Sequence, residues 1–315
     1  MGSTEPDLSL QVMATQLQGV GVTSYVLVHS GGADLPAWEP GAHVDVHLPS
    51  GAVRQYSLCG DPDDRTCYRI AVLELPSGRG GSVELHQELR PGVMVGVGQP
   101  RSAFTLVDAE RYVFVAGGIG ITPLLPMIRE VQHQGLPWEL SYCARSARHF
   151  SFVDELRALG SDRVRFLAED VDGRPDLAEL VRGSAGSVVF CCGPAGLMDG
   201  LAAEMTAAGR DDLHLERFTP HPVTVDGSGF TVELARSGTV VDVPDDRTVL
   251  EAVRAAGVDV DSSCEMGICG TCETKVLSGT VEHRDELLTD AEKAQGTTMM
   301  ICVSRAACPR LILDL

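Results

Sequence analysis

Cys264-Glu265-Met266-Gly267-Ile268-Cys269-Gly270-Thr271-Cys272 is the stretch that decides the architecture. Its cysteines have the spacing C-x4-C-x2-C, and Cys302 follows after 29 intervening residues, in Met299-Met300-Ile301-Cys302. That is the ligand spacing of a 2Fe–2S cluster. One loop must wrap an anionic cluster and offer it three thiolates and several backbone N–H groups. Gly267 and Gly270 allow backbone conformations that a Cβ resists. A fourth thiolate, from a distant segment, closes the site. A zinc site would usually show two C-x2-C pairs, and one is present here. Three cysteines in nine residues of a Gly-rich loop are also not typical of core packing. Cys308 is a rival fourth ligand. Cys302 is preferred because the apolar run before it can anchor it at a strand end.

The surroundings agree. Phe230 to Leu234 and Val240 to Val243 read as a hairpin turning at Ser237-Gly238. Thr248-x-x-Glu251 reads as a capping box opening a helix from Val249 to Ala256, which Gly257 stops. Residues 228–315 resemble the β-grasp fold of plant-type ferredoxins. The resemblance implies Cys264, Cys269, Cys272 and Cys302 as cluster ligands. This segment has 8 basic and 15 acidic residues.

The rest of the chain sets limits. A length of 315 residues suits two domains of ~150 residues or three smaller ones. With 25 basic against 44 acidic residues the net charge is −19, which argues against nucleic acid or an anionic membrane as partner. Ten cysteines are too sparse for a disulfide scaffold at this length. The acidic start MGSTEPDLSL has no apolar core, so a cytoplasmic location is expected, and Pro6 breaks the myristoylation pattern. Tyr112 to Ile128 has 17 residues without a charge, but its glycines and prolines suit a strand, loop and helix start better than a membrane span.

Residues 1–107 alternate apolar and polar positions between turns, as at Val44, Val46, Leu48 and at Val93, Val95, Val97, and read as an antiparallel barrel. Arg54-Gln55-Tyr56-Ser57-Leu58 lies within it. This R-x-Y-S-L string resembles the flavin signature of the ferredoxin–NADP reductase superfamily. Arg54 can pair with a phosphate, Tyr56 can pack on the isoalloxazine, and the Ser57 hydroxyl can hydrogen-bond near its redox-active nitrogen. Gly78-Arg79-Gly80-Gly81-Ser82 precedes a helical pattern from Val83 to Leu89, leaving backbone N–H groups for an anion. In the phthalate dioxygenase reductase branch that string holds the phosphate of FMN, which points to Gly80, Gly81 and Ser82. Ala71 is a further backbone contact, and Gln55 completes the set. The Pro100-Arg101-Ser102-Ala103-Phe104 string also resembles that branch. No segment for an adenine half is evident, so FMN is preferred over FAD.

Tyr112 to Ala116 is a β-rich run, followed by Gly117-Gly118-Ile119-Gly120-Ile121-Thr122-Pro123 and a helix from Leu124. The dehydrogenase fingerprint G-x-G-x-x-G is absent, because its third glycine is Pro123. The string instead resembles the NAD(P) loop of ferredoxin–NADP reductase relatives. That resemblance places Thr122 near the nicotinamide. A second strand from Glu139 to Cys143 leads to Arg145, Ser146 and Arg148. A third, from Val188, ends in Cys191-Cys192-Gly193-Pro194, with a helix from Ala195 to Ala208. In the family, the C-G-P cysteine sits by nicotinamide and flavin, making Cys192 a hydride-site residue; no His–Asp pattern nearby supports a nucleophile. Phe218, after His214-Leu215-Glu216-Arg217, is the aromatic the family places near the flavin. Arg145 and Arg148 could grip a 2′-phosphate, while the family resemblance favours NADH.

The expected order is an antiparallel FMN barrel (1–107), an α/β parallel-sheet nucleotide domain (108–218), a linker (219–229) and a β-grasp ferredoxin domain (230–315). It resembles the phthalate dioxygenase reductase and vanillate O-demethylase reductase family. The resemblance implies a monomeric reductase taking electrons from NADH through FMN and a 2Fe–2S cluster to a Rieske non-haem iron oxygenase. Ser57, Thr122 and Cys192 are its catalytic candidates. A haem-thiolate monooxygenase partner and a redox sensor without steady turnover remain as alternatives.

Overall fold

The computed structural model describes residues 6–76, 80–102, 104–218, 229–262, 265, 267, 270–285 and 287–315. They fall into two compact units that divide after Phe218.

The first unit opens with β1 (Leu8–Gly19), β2 (Val22–His29), β3 (Ala42–His47), β4 (Val53–Ser57), β5 (Cys67–Leu73), α1 (Gly81–Glu88), β6 (Met94–Val97) and β7 (Arg101–Ser102). The strands form one antiparallel sheet in the order β4-β3-β6-β1-β2-β5, with β7 on β3, and Leu58 bridges to Ile70 where the sheet curls toward closure. Val44, Val46, Leu10, Leu27, Tyr68 and Ile70 fill the inside. Of the alternating valines, Val95 and Val97 point inward on β6, whereas Val93 lies just before the strand and is exposed.

The same unit continues with β8 (Tyr112–Gly117), α2 (Ile121–His133), β9 (Trp138–Ala144), α3 (Val153–Gly160), β10 (Val164–Ala168), α4 (Glu169–Asp172), α5 (Leu177–Gly183), β11 (Val188–Cys192), α6 (Ala195–Ala207) and β12 (Leu213–Glu216). The five strands are all parallel, in the order β10-β9-β8-β11-β12. Tyr112 to Gly117 is a continuous buried run, as a central parallel strand requires, and no helix among the described residues is long and apolar enough to cross a membrane. The helix expected from Leu124 starts earlier, at Ile121, because Gly118–Gly120 already coil as a short 3-10 turn. Pro123 sits in its first turn, where a missing N–H costs nothing.

The second unit has β13 (Phe230–Leu234), β14 (Thr239–Val243), α7 (Val249–Ala255), β15 (Glu273–Ser278), β16 (Val281–Glu282), α8 (Asp290–Gln295), β17 (Thr298–Met300), β18 (Arg305–Ala306) and β19 (Arg310–Leu313). Its five-stranded sheet runs β14-β13-β19-β15-β17, with a parallel β13–β19 pair, beside a small β16–β18 ladder. The capping box forms as the sequence requires: the Glu251 amide donates to the Thr248 hydroxyl at 3.1 Å, and the Thr248 amide donates to the Glu251 carboxylate at 2.8 Å. Linker residues 219–228 lie outside the described residues.

Candidate active site and cluster site

The Arg-Gln-Tyr-Ser strand is β4, paired antiparallel with β3 so that Val44 faces Tyr56 and His43 faces Ser57. Arg54 reaches the start of α1: a Cβ at Gly81 would meet its Nε at 2.6 Å. Gly80 turns the chain there at φ 82, and no side chain caps the helix. A guanidinium beside an uncapped helix start is a cradle for a phosphate. Gly78 and Arg79 lie outside the described residues. The Ser82 hydroxyl accepts the Leu75 amide at 3.0 Å, which anchors the segment entering this turn. Ala71 is buried on β5.

Ser57 is buried at the end of β4, and burial pushes the Tyr56 phenol up to about 12. Gln55 Nε2 and His43 Nε2, on the Ser57 face, are enclosed with no hydrogen-bond partner among the described residues. Enclosed donors and acceptors left unpaired are costly, so this face suits a polar heterocycle. Burial, with Arg101 adding repulsion, lowers His43 to about 4 and leaves it neutral at pH 7. Sequence reading gave His43 no role; its pairing with Ser57 is visible only once strand register is known.

The Gly117–Gly120 loop meets the Cys-Gly-Pro turn backbone to backbone. A Cβ at Gly120 would lie 2.2 Å from the Cys192 carbonyl oxygen, and one at Gly117 would lie 2.5 Å from Pro194 Cδ. A Cβ at Gly193 would meet Gly117 Cα at 2.9 Å. Gly118, at φ 55, makes the turn between them. The Thr122 side chain is buried, and its hydroxyl donates to the Ile119 carbonyl at 2.9 Å, so it shapes the loop. Tyr142 braces the loop too, donating to the Gly118 carbonyl at 2.9 Å.

Cys192 is fully buried, and burial, with Glu216 beside it, raises its thiol well above the ordinary value. It is therefore a neutral thiol, suited to packing rather than attack. Cys191 is buried as well, its thiol raised to about 12. Glu216 faces Cys192 across the β11–β12 pair. Its Oε2 is enclosed without a partner among the described residues, and burial lifts its carboxyl to about 8. The alternating β12 pattern gave no sign of this. Phe218 follows, half-buried against the apolar core.

Arg145 and Arg148 are exposed at the end of β9, and Ser146 Oγ lies 2.7 Å from His149 Nδ1. Beside them the Asp170 amide donates to the Arg145 carbonyl at 3.1 Å, bringing the acidic turn Glu169–Asp172 to this edge.

One tie has no sequence signal. Arg69 of β5 and Arg129 of α2 both pair with Glu155 of α3. Arg69 also donates to the Cys59 carbonyl, at 2.5 Å, and Arg129 to the Gly60 carbonyl, at 2.6 Å. The clamp joins the segment after β4 to α2 and α3, the helices that follow the glycine loop. Its members lie up to 86 residues apart.

In the second unit, Cys272 precedes β15 and Cys302 follows β17, and these strands pair with Glu273 opposite Met300. The Ile301 amide donates to the Cys272 carbonyl at 3.5 Å, so both buried thiols come from neighbouring strand ends. Gly267 and Gly270 have φ of 73 and 77, the conformations expected of a wrapping loop. Cys264 and Cys269 lie outside the described residues. Two soft thiolate donors brought to one place suit an iron–sulfur cluster. Cys308 is engaged elsewhere, its sulfur accepting the Thr280 amide at 3.2 Å.

Residues 232–307 match the family model "2Fe-2S iron-sulfur cluster binding domain". Phenoxybenzoate dioxygenase subunit beta of Ectopseudomonas oleovorans is 43% identical over 285 residues, covering 89% of each chain. Vanillate O-demethylase oxidoreductase of Pseudomonas sp. strain HR199 is 42% identical, covering 96% of this chain and 98% of its own. The solved structure of phthalate dioxygenase reductase, described as modular for electron transfer from pyridine nucleotides to 2Fe–2S, matches with TM-score 0.73 at 38% identity over 98% of both chains. The chain belongs to the phthalate dioxygenase reductase family. An intact self-sufficient cytochrome P450 monooxygenase also matches this family member, with TM-score 0.86 and 42% identity. The chain spans 41% of the length of that P450 and 98% of itself is covered.

Proposed function

We propose that this family member is the reductase component of an oxygenase system, taking electrons from NADH and passing them to a Rieske non-haem iron oxygenase. Bound FMN accepts electrons in pairs and releases them singly, and a bound 2Fe–2S cluster carries one at a time. The protein's part is placement. Arg54 and the α1 start hold the FMN phosphate, and Tyr56 and Phe218 pack against its ring. Ser57 offers its hydroxyl at the reacting edge, with Gln55 and Ala71 alongside. Gly117, Gly118, Gly120, Gly193 and Pro194 bring two turns into a backbone contact where no side chain fits, and the nicotinamide lies against it. Thr122 fixes the glycine loop, Cys192 packs beside it without charge, and Arg145 and Ser146 hold the distant half of the nucleotide. Cys264, Cys269, Cys272 and Cys302 hold the cluster. We take residues 1–107, 108–218 and 230–315 as the three functional domains, with 219–229 as linker.

The observation that carries this reading is the backbone seam between Gly120 and Cys192, in the same unit as the Arg54–Gly81 cradle. NADH is favoured over NADPH because the acidic turn beside Arg145 would repel a 2′-phosphate. The reading also takes the chain as a cytoplasmic monomer that binds neither membrane nor nucleic acid. A purified protein with flavin bands and no red-brown cluster absorbance would sink it. NADH-driven reduction of cytochrome c separates a reductase from a slow sensor. The P450 likeness favours one second reading, a haem-thiolate monooxygenase as the partner. Reconstitution with each partner class decides between them.

A further inference from the structure

Asp285 lies between β16 and α8. It is 3% exposed, and its carboxylate is fully engaged. The Leu288 amide donates to Oδ2 at 3.0 Å, the Ser304 hydroxyl donates to Oδ1 at 3.1 Å, and His283 Nδ1 lies 3.3 Å from the same oxygen. Lys293 donates to its main-chain carbonyl at 2.7 Å. Ser304 stands two residues after Cys302. Asp285 also packs on Gly267, in the loop between Cys264 and Cys269: a Cβ there would meet Asp285 Cα at 3.1 Å. One residue thus touches the loop that bears three cysteines and hydrogen-bonds to the segment that bears the fourth.

We propose that Asp285 is a positioning residue for the cluster, tying its two ligand-bearing segments together and setting the electrostatic field in which it is reduced. The proposal rests on the cluster reading of the four cysteines. Ligands held in place by buried hydrogen bonds need not be ordered when the group binds. A buried negative charge beside the ligands also opposes an added electron. In an effective dielectric of ~20, a unit charge within roughly 10 Å of a redox group changes such an equilibrium by about tenfold or more.

The test uses the full chain with its cluster loaded. Asp285→Asn keeps the shape and removes the charge, while Ser304→Ala cuts one tie and keeps the charge. Redox equilibrium against a mediator dye and the rate of bleaching by a chelator are read for each. Asp285→Asn is expected to shift the equilibrium about tenfold toward the reduced form, equivalent to about 59 mV for one electron. Ser304→Ala is expected to bleach several-fold faster at an unchanged potential. An unshifted potential in Asp285→Asn overturns the proposal, because faster bleaching alone would mark a folding role. Should that variant not fold, parent-like bleaching by Ser304→Ala overturns it. A parent chain without cluster absorbance would instead defeat the cluster reading itself.

Discussion

Ser57 at the end of β4 and Glu216 at the end of β12 are both polar groups taken out of water, and they make opposite demands. Ser57 offers a buried hydroxyl, whereas Glu216 holds a carboxyl that burial lifts to about 8. Ser57→Ala should slow flavin reduction by NADH about tenfold, the worth of one hydrogen bond of ~1.4 kcal/mol, with cluster absorbance intact. Stopped-flow reduction without oxygen measures it, and an unchanged rate removes Ser57 from the site. Glu216 makes stability depend on pH. Between its unfolded value near 4.5 and about 8, the folded chain holds a proton that the unfolded chain has lost. Thermal stability should therefore fall as pH rises through that window, and Glu216→Gln should flatten the fall. Parallel slopes in melting curves from pH 5 to 8 would refute this. Ser57 and Cys192 are candidates because each lies in a short string that can be singled out in the sequence. Glu216 and His43 lie in no such string, because what sets them apart is the strand opposite and what encloses them.

At the scale of elements, periodicity and caps were enough for most of the fold. The capping box at Thr248 and the buried run from Tyr112 formed where the pattern placed them. The start of α2 was misplaced by three residues, since Pro123 reads as a boundary in sequence but is tolerated in a first helical turn. The glycine loop was legible as a loop, yet the reason for its glycines is tertiary. Gly120→Ala would press a methyl group into the Cys192 carbonyl. A cost of about 1–3 kcal/mol and a several-fold rise in KM for NADH are expected. Differential scanning calorimetry and steady-state kinetics test the two parts, and a parent-like variant would show that the seam yields.

For the whole molecule, charge was the most legible property and the arrangement of distant partners the least. The net −19 includes an acidic balance on the second unit, which suits a partner with a basic face. Turnover with such a partner should drop several-fold between about 50 and 500 mM salt, as screening shortens the reach of these charges. Reduction of a small neutral acceptor should change little, and equal salt effects on both would exclude charge-guided docking. The Arg69–Glu155–Arg129 clamp has no counterpart in composition or pattern, since three side chains from β5, α2 and α3 create it only after folding. Its consequence is mechanical. Two halves tied across a shared carboxylate should resist opening, so the reduction step should not slow in proportion as sucrose thickens the medium. Stopped-flow traces in graded viscogen would show a flat response where a breathing cleft would show drag.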